Sequence, residues 1–242
     1  MGLFVLAGCS IPPVTTEKRP DGSTVTLDWG DYPGHAYIDA DEILATPAYD
    51  EIEVHGRALM DAIRTAVADE VGIRLELTAF DGEWRPFETN GYARPSLLTA
   101  YACCALVADE VPADYADWLR IQAIVDRVGE EFGAGPLTTE RDQEGMRDDP
   151  VQLAEFDRTW GTGVEGEYSL LAAWTTGSGQ SVMLTIEDPA RRLAASAAEK
   201  ANEPHLSVDY SATVIERGKR AEFEKRLAPY VGAAKPGSTE WD

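Results

Sequence analysis

A switch of hydrophobic period constrains this chain more than anything else in it. Ile52, Leu59, Ile63 and Val67 recur near multiples of 3.6 residues and so line one face of a helix. Thr46-Pro47 supplies an N-cap and a proline suited to a first helical position, and Gly72 ends the run. From Ile73 to Ala79 apolar and polar residues alternate with period two, as in a half-buried strand. The same order returns further on. Pro112 opens a second helix with Trp118, Ile121, Val125, Val128 and Phe132 as its core stripe, and Gly133-Ala134-Gly135-Pro136 stops it before a short strand over Leu137 to Arg141.

Between these units, Ser96 to Val107 is apolar on both faces. It reads as a central strand, with a buried helix as the alternative; as a strand it points Cys103 and Cys104 to opposite sides. The clearest hairpin is Tyr168 to Thr176 and Ser181 to Glu187, joined by Gly177-Ser178-Gly179-Gln180. Asp149 caps a short helix over Pro150 to Trp160, the Ala-rich stretch Ala190 to Ala201 reads as helical, Ser207 to Ile215 as a strand, and Gly218 to Tyr230 as a basic helix. Thr24 to Trp29 alternates like a strand, and Asp81 to Pro95 reads as a long turn or a ragged strand pair. Helix followed by strands, twice over, predicts an α+β fold of two layers, helices on one face of a mostly antiparallel sheet, with an αββ-type repeat. We expect a single domain over residues 24–231, a tether over 10–23 and a disordered tail over 232–242.

Charge narrows the function classes. A formal net charge of -22 on 242 residues opposes binding to nucleic acid and flat adsorption on anionic lipid. It keeps a chain soluble, and it leaves cationic partners as the sharper alternative. Arginine far outnumbers lysine and alanine is abundant, a composition that fits a GC-rich, actinobacterial genome.

The first residues carry a different kind of information. Leu3, Phe4 and Val5 run into Leu6-Ala7-Gly8-Cys9, which resembles the lipobox of bacterial lipoproteins. In that family the cysteine receives lipid and becomes the mature N-terminus. The resemblance implies lipidation of Cys9, a truncated signal segment over residues 1–9, and attachment to the extracytoplasmic face of the cell membrane. Here the segment has no basic n-region and only five residues before Leu6, shorter than an export signal requires. Two or more acyl chains hold a protein firmly where one does not. The Tyr49-led helix, Cys103 ahead of the Trp118 helix and the final hairpin make residues 45–190 similar to LppA-like lipoproteins of actinobacteria. That resemblance brings no catalytic residue with it.

No residue pattern reaches a recognisable chemistry. Gly161-Thr162-Gly163-Val164-Glu165-Gly166 matches G-x-G-x-x-G, but a helix precedes it and a strand follows, the reverse of a dinucleotide site. Glu140, Asp142, Glu144, Gly145 and Asp148 fall at calcium-loop spacings, yet Val151 stands where the bidentate glutamate belongs, so we expect no metal there. His35, His55 and His205 are scattered, and Asp114 and Asp117 are two carboxylates among many. Cys103 and Cys104 lack activating neighbours and read as buried free thiols. Trp118 and Trp174 have core-like settings, whereas Trp84, Phe87 and Tyr92 sit in a Gly/Pro-bearing stretch that either folds back over the sheet edge, the favoured reading, or presents a surface to a protein or glycan. We therefore expect no catalytic residue and no cofactor: a noncatalytic binding or scaffolding module of the cell envelope. A hydrolase with a site assembled across the fold is the alternative.

Overall fold

The computed structural model describes residues 11–78, 82–108, 110–175 and 179–239. Cys9 lies outside the described residues, as do most of the residues joining the final hairpin. The fold is α+β, with a mostly antiparallel seven-stranded sheet and a separate two-stranded one. The large sheet contains β3 (Glu76–Leu77), β4 (Glu83–Pro86), β5 (Leu98–Ala108), β6 (Leu137–Thr139), β7 (Leu170–Thr175), β8 (Gln180–Glu187) and β9 (His205–Ile215). Its order is β3-β5-β9-β8-β7-β6, with β4 pairing β5. The αββ-type repeat holds only in pairing: α2 (Ile52–Val71) precedes the paired β3 and β5 with β4 between them in the chain, and α3 (Tyr115–Glu131) precedes the paired β6 and β7 with two helices between them.

The chain divides into two compact units. Unit 1 holds residues 1–49, 84–100 and 213–242, and unit 2 holds residues 50–83 and 101–212.

Unit 2 is built by the two helical stripes. Ile52, Leu59, Ile63 and Val67 of α2 and Trp118, Ile121 and Val125 of α3 are buried completely, and Phe132 is left half-buried at the end of α3. The helices lie side by side and cover one sheet face, on which Val182, Leu184 and Ile186 of β8 alternate with partly exposed residues. Tyr210 of β9 rises from the same face. Its ring packs where a side chain at Gly56 would stand, and its hydroxyl donates to Gln180 Oε1 at 2.8 Å. Asp114 caps α3 by accepting from the Ala116 amide at 2.9 Å. Thr46-Pro47 does not start α2, because Thr46 instead closes the earlier α1 (Ala40–Ala45), its hydroxyl donating to the Glu42 carbonyl at 2.9 Å. The strand read over Ile73 to Ala79 shortens to β3.

Two further expectations fail in unit 2. The alternation along β5 slips by one residue: Tyr101 and Cys103 are buried, then Cys104, Leu106 and Ala108. The slip turns Cys103 and Cys104 to a common side, and they form a disulfide rather than free thiols. Ala190 to Ala201 is not a helix but a bend between two 3-10 turns, Pro189–Arg191 and Glu199–Ala201. Arg192 decides this locally. It packs 3.9 Å over the Trp160 ring and pairs with Glu187 and Glu199, contacts that outweigh alanine's helix propensity, which is the highest of any residue but amounts to tenths of a kcal/mol per position.

Unit 1 is an aromatic core. Trp29, Tyr32, Tyr92 and Tyr230 meet with ring centroids between 5.1 and 6.4 Å apart in tilted or edge-on pairs. At its centre the fully buried Asn90 donates from Nδ2 to the carbonyls of Trp29, Gly30 and Tyr32 at 3.2, 3.0 and 2.8 Å. Its Oδ1 accepts from the Tyr92 amide at 2.9 Å. The supposed tether is partly a strand: β1 (Val14–Lys18) pairs antiparallel with β2 (Thr24–Asp28), and Thr15 accepts from the Trp29 indole at 2.9 Å. Nor is the tail free over its described residues. Tyr92 donates to the Pro236 carbonyl at 3.0 Å, Ser238 to the Gly91 carbonyl at 2.8 Å, and the Thr239 amide to Gly91 at 3.0 Å. The basic helix is α6 (Arg220–Leu227), whose Arg220 and Arg226 donate to the carbonyls of Leu44 and Asp31.

Candidate functional site

The acidic loop, the capped helix and the G-x-G-x-x-G segment, each unremarkable alone, meet around one cleft in unit 2. Asp149 starts α5 (Pro150–Trp160) by accepting from the amides of Val151 and Gln152, and Pro150 fits the first helical turn. Past α5 the chain folds back on itself. Gly161 bridges Tyr168, Thr162 donates to the Glu167 carbonyl, and the Ser169 amide donates to the Trp160 carbonyl at 2.7 Å. Gly163 and Gly166 take φ of 89° and 77°, where a Cβ would be disfavoured, so the glycines serve a tight reversal between α5 and β7. The motif is a hairpin end, and it forms one lip of the cleft.

The cleft is open, with a volume of about 1020 Å³, and lies among α3, the segment after β6, α5, the glycine turn and β7. Its floor is Leu170, Leu171 and Phe156. One wall is a polar network. Arg141 turns out of the acidic loop to donate from Nε to Asp157 Oδ1 at 3.1 Å, and the Tyr168 hydroxyl donates to the same oxygen at 3.0 Å. The Arg141 guanidinium also sits 5.5 Å over the Tyr168 ring. The bond from Arg141, seconded by that from Tyr168, holds the Asp157 carboxyl below the usual aspartate range. Burial, then the bond to Asp157, pushes the Tyr168 hydroxyl up. Across from it, burial lifts Tyr115 to about 12, with Arg191 stacked 5.7 Å over its ring and paired to Glu167 at 2.9 Å.

Thr139 is the one aliphatic hydroxyl among the lining residues, and it caps the 3-10 turn Glu140–Asp142 by bonding Asp142. The histidines are elsewhere. His55 bonds the Phe132 carbonyl at 3.1 Å, His35 packs on Phe87 at 5.3 Å, and His205 is exposed at the start of β9. The acidic segment folds as that 3-10 turn and α4 (Glu144–Arg147), so its carboxylates do not converge. Among the described residues no three His, Cys, Asp or Glu side chains are grouped to hold a metal ion. Asp114 is a helix cap and Asp117 pairs with Arg120 at 3.5 Å.

The aromatic surface considered for Trp84, Phe87 and Tyr92 does not form. Tyr92 is fully buried in the unit 1 core, Phe87 packs against that core, and Trp84 stacks on Tyr49 at 3.9 Å. Asn90 is the cause: by gathering three carbonyls it folds the loop inward. Arg141, Asp157 and Tyr168 escaped notice in the sequence because they are dispersed over a loop, a helix and a turn, with no fixed spacing to flag them. Among the described residues no helix is long and apolar enough to cross a membrane. No protein-family model, curated protein or solved structure matches the chain.

Proposed function

We propose that this is a lipid-anchored protein of the cell envelope, held on the extracytoplasmic face of the membrane through Cys9, whose unit 2 cleft binds a ligand without transforming it. The cleft is the observation that carries the binding half of this reading. The Arg141, Asp157 and Tyr168 side chains of its wall are held in mutual bonds, and no histidine, serine or cysteine is among its lining residues. Carboxylates and tyrosines are then the lining groups left for proton transfer, and Asp157 and Tyr168 are already bonded to each other. The Leu6-Ala7-Gly8-Cys9 pattern supports the anchor, and the charge of -22 favours a domain repelled from an anionic bilayer and held to it by lipid alone.

The test is the intact mass of the protein recovered from membranes after expression with its native upstream codons. The expected product begins at an acylated Cys9, and Cys9→Ala releases the protein to the soluble fraction. An unprocessed chain in the soluble fraction would overturn the anchor.

A further inference from the structure

We propose that the unit 2 cleft takes a small organic cation with an apolar body, an alkyl- or aryl-ammonium in chemical class. This deepens, and rests on, the reading of the cleft as a binding site. The first observation is where the exposed apolar side chains gather. Leu119, Val164 and Leu193 are 47, 57 and 68% exposed, and all three line this cleft. Together with Phe156 they give a ligand an apolar surface to cover, and the volume of about 1020 Å³ is that of a small-molecule cleft.

The second observation is the charge that remains once internal pairs are made. Arg141 is paired to Asp157, Arg158 to Glu155, and the adjacent Arg191 to Glu167. No guanidinium at the cleft is left to recruit an anion. Glu165, on the glycine turn, lines the cleft with no ion-pair partner among the described residues, and the Asp142 carboxylate accepts from the neutral Thr139 hydroxyl at 2.6 Å and has no ion-pair partner among them. The unspent charge is therefore negative, beside apolar side chains. An ammonium head at Glu165 and Asp142 with its hydrocarbon against Leu119, Val164 and Leu193 satisfies both. A carboxylate or phosphate head would meet uncompensated repulsion from these two exposed carboxylates, felt most at low salt where screening is weakest.

The experiment is calorimetric titration of the whole protein at low salt with octyltrimethylammonium, octanoate and 1-octanol, all below aggregation. The expected order is cation tighter than alcohol tighter than carboxylate, with cation over carboxylate by roughly tenfold or more, the size of one unscreened charge contact. Glu165→Gln should cut that preference to roughly threefold or less, and Leu193→Ser should weaken all three ligands together. Asp69→Asn, an exposed change on α2 away from the cleft, controls for net charge and should leave the preference intact. Equal loss in the Glu165 and Asp69 variants would overturn the proposal, as would octanoate binding as tightly as the cation; in the latter case the cleft still binds, but not cations. Failure of all three ligands would overturn both this proposal and the binding reading of the cleft.

Discussion

Replacing Asn90 with alanine is the sharpest probe of how unit 1 holds together. The side chain is fully buried, and its amide group bonds the carbonyls of Trp29, Gly30 and Tyr32 while its oxygen takes the Tyr92 amide. The Trp29 carbonyl keeps a second donor, the Tyr32 amide at 3.1 Å. The Asn90→Ala change therefore strands three buried groups: the carbonyls of Gly30 and Tyr32 and the amide of Tyr92. Each stranded group costs ~1–3 kcal/mol, and relaxation keeps the sum at about 4 kcal/mol. With a urea slope of about 2–3 kcal/mol per molar, the midpoint falls by about 1.3–2 M. Asn90→Asp adds a sign test. It keeps the acceptor but aims a carboxylate at three carbonyls, so at neutral pH it should destabilise at least as much and recover part of the loss as pH falls and the carboxyl protonates. The assay is urea unfolding followed by tryptophan fluorescence and circular dichroism. A midpoint shift under ~0.4 M for Asn90→Ala, corresponding to about 1 kcal/mol, would refute the hub role.

Gly56→Ala should destabilise by about 1–3 kcal/mol despite alanine's better helix propensity, because the new Cβ lands within 2.7 Å of Tyr210 Cδ1 and the ring is held by Gln180; a neutral or stabilising change in thermal melting would contradict that packing. Asp157→Asn should cost no more than about 1 kcal/mol, since the pair with Arg141 is partly exposed. Because the Asp157 carboxyl is held low when folded, the difference between wild type and variant should be full above the ordinary aspartate pKa and vanish as pH falls through the folded value; a difference that persists in acid would contradict the assignment. At the alkaline end, burial raises Tyr92, Tyr115 and Tyr230 to about 12, so their contribution is full below pH ~10 and is lost as pH climbs toward about 12, which phenolate absorbance with parallel melting curves will follow.

Much of the fold was legible because periodicity is a local property that burial enforces. Ile52, Leu59, Ile63 and Val67 could share a face only on a helix, and the buried alternation of Val182, Leu184 and Ile186 only on a strand. Caps were legible for the same reason: Asp149 and Pro150 act within one turn. Thr46-Pro47 misled because its signals suit the end of α1 as well as the start of α2. Ala190 to Ala201 misled because propensity is worth only tenths of a kcal/mol per residue, less than the Arg192 contacts with Trp160, Glu187 and Glu199. The cleft was illegible as a site. Its glycine segment was legible as lying between a helix and a strand, but nothing local tied that segment to Arg141 and Asp157.

By itself, then, the sequence determined the α+β class, the helical stripes, the central strand and the final hairpin, along with the lipobox resemblance at Cys9 and the acidity that disfavours nucleic acid. Tertiary structure alone decided that Phe87 and Tyr92 pack into the unit 1 core and Trp84 onto Tyr49, that residues 14–18 form a strand, that Cys103 and Cys104 are joined, and that three exposed apolar side chains line the same cleft as Glu165. The physical reason is range. A period, a cap or a turn is settled by neighbours within one turn of chain, whereas a cleft is settled by which distant carboxylate each arginine reaches, and that pairing exists only after the chain has closed.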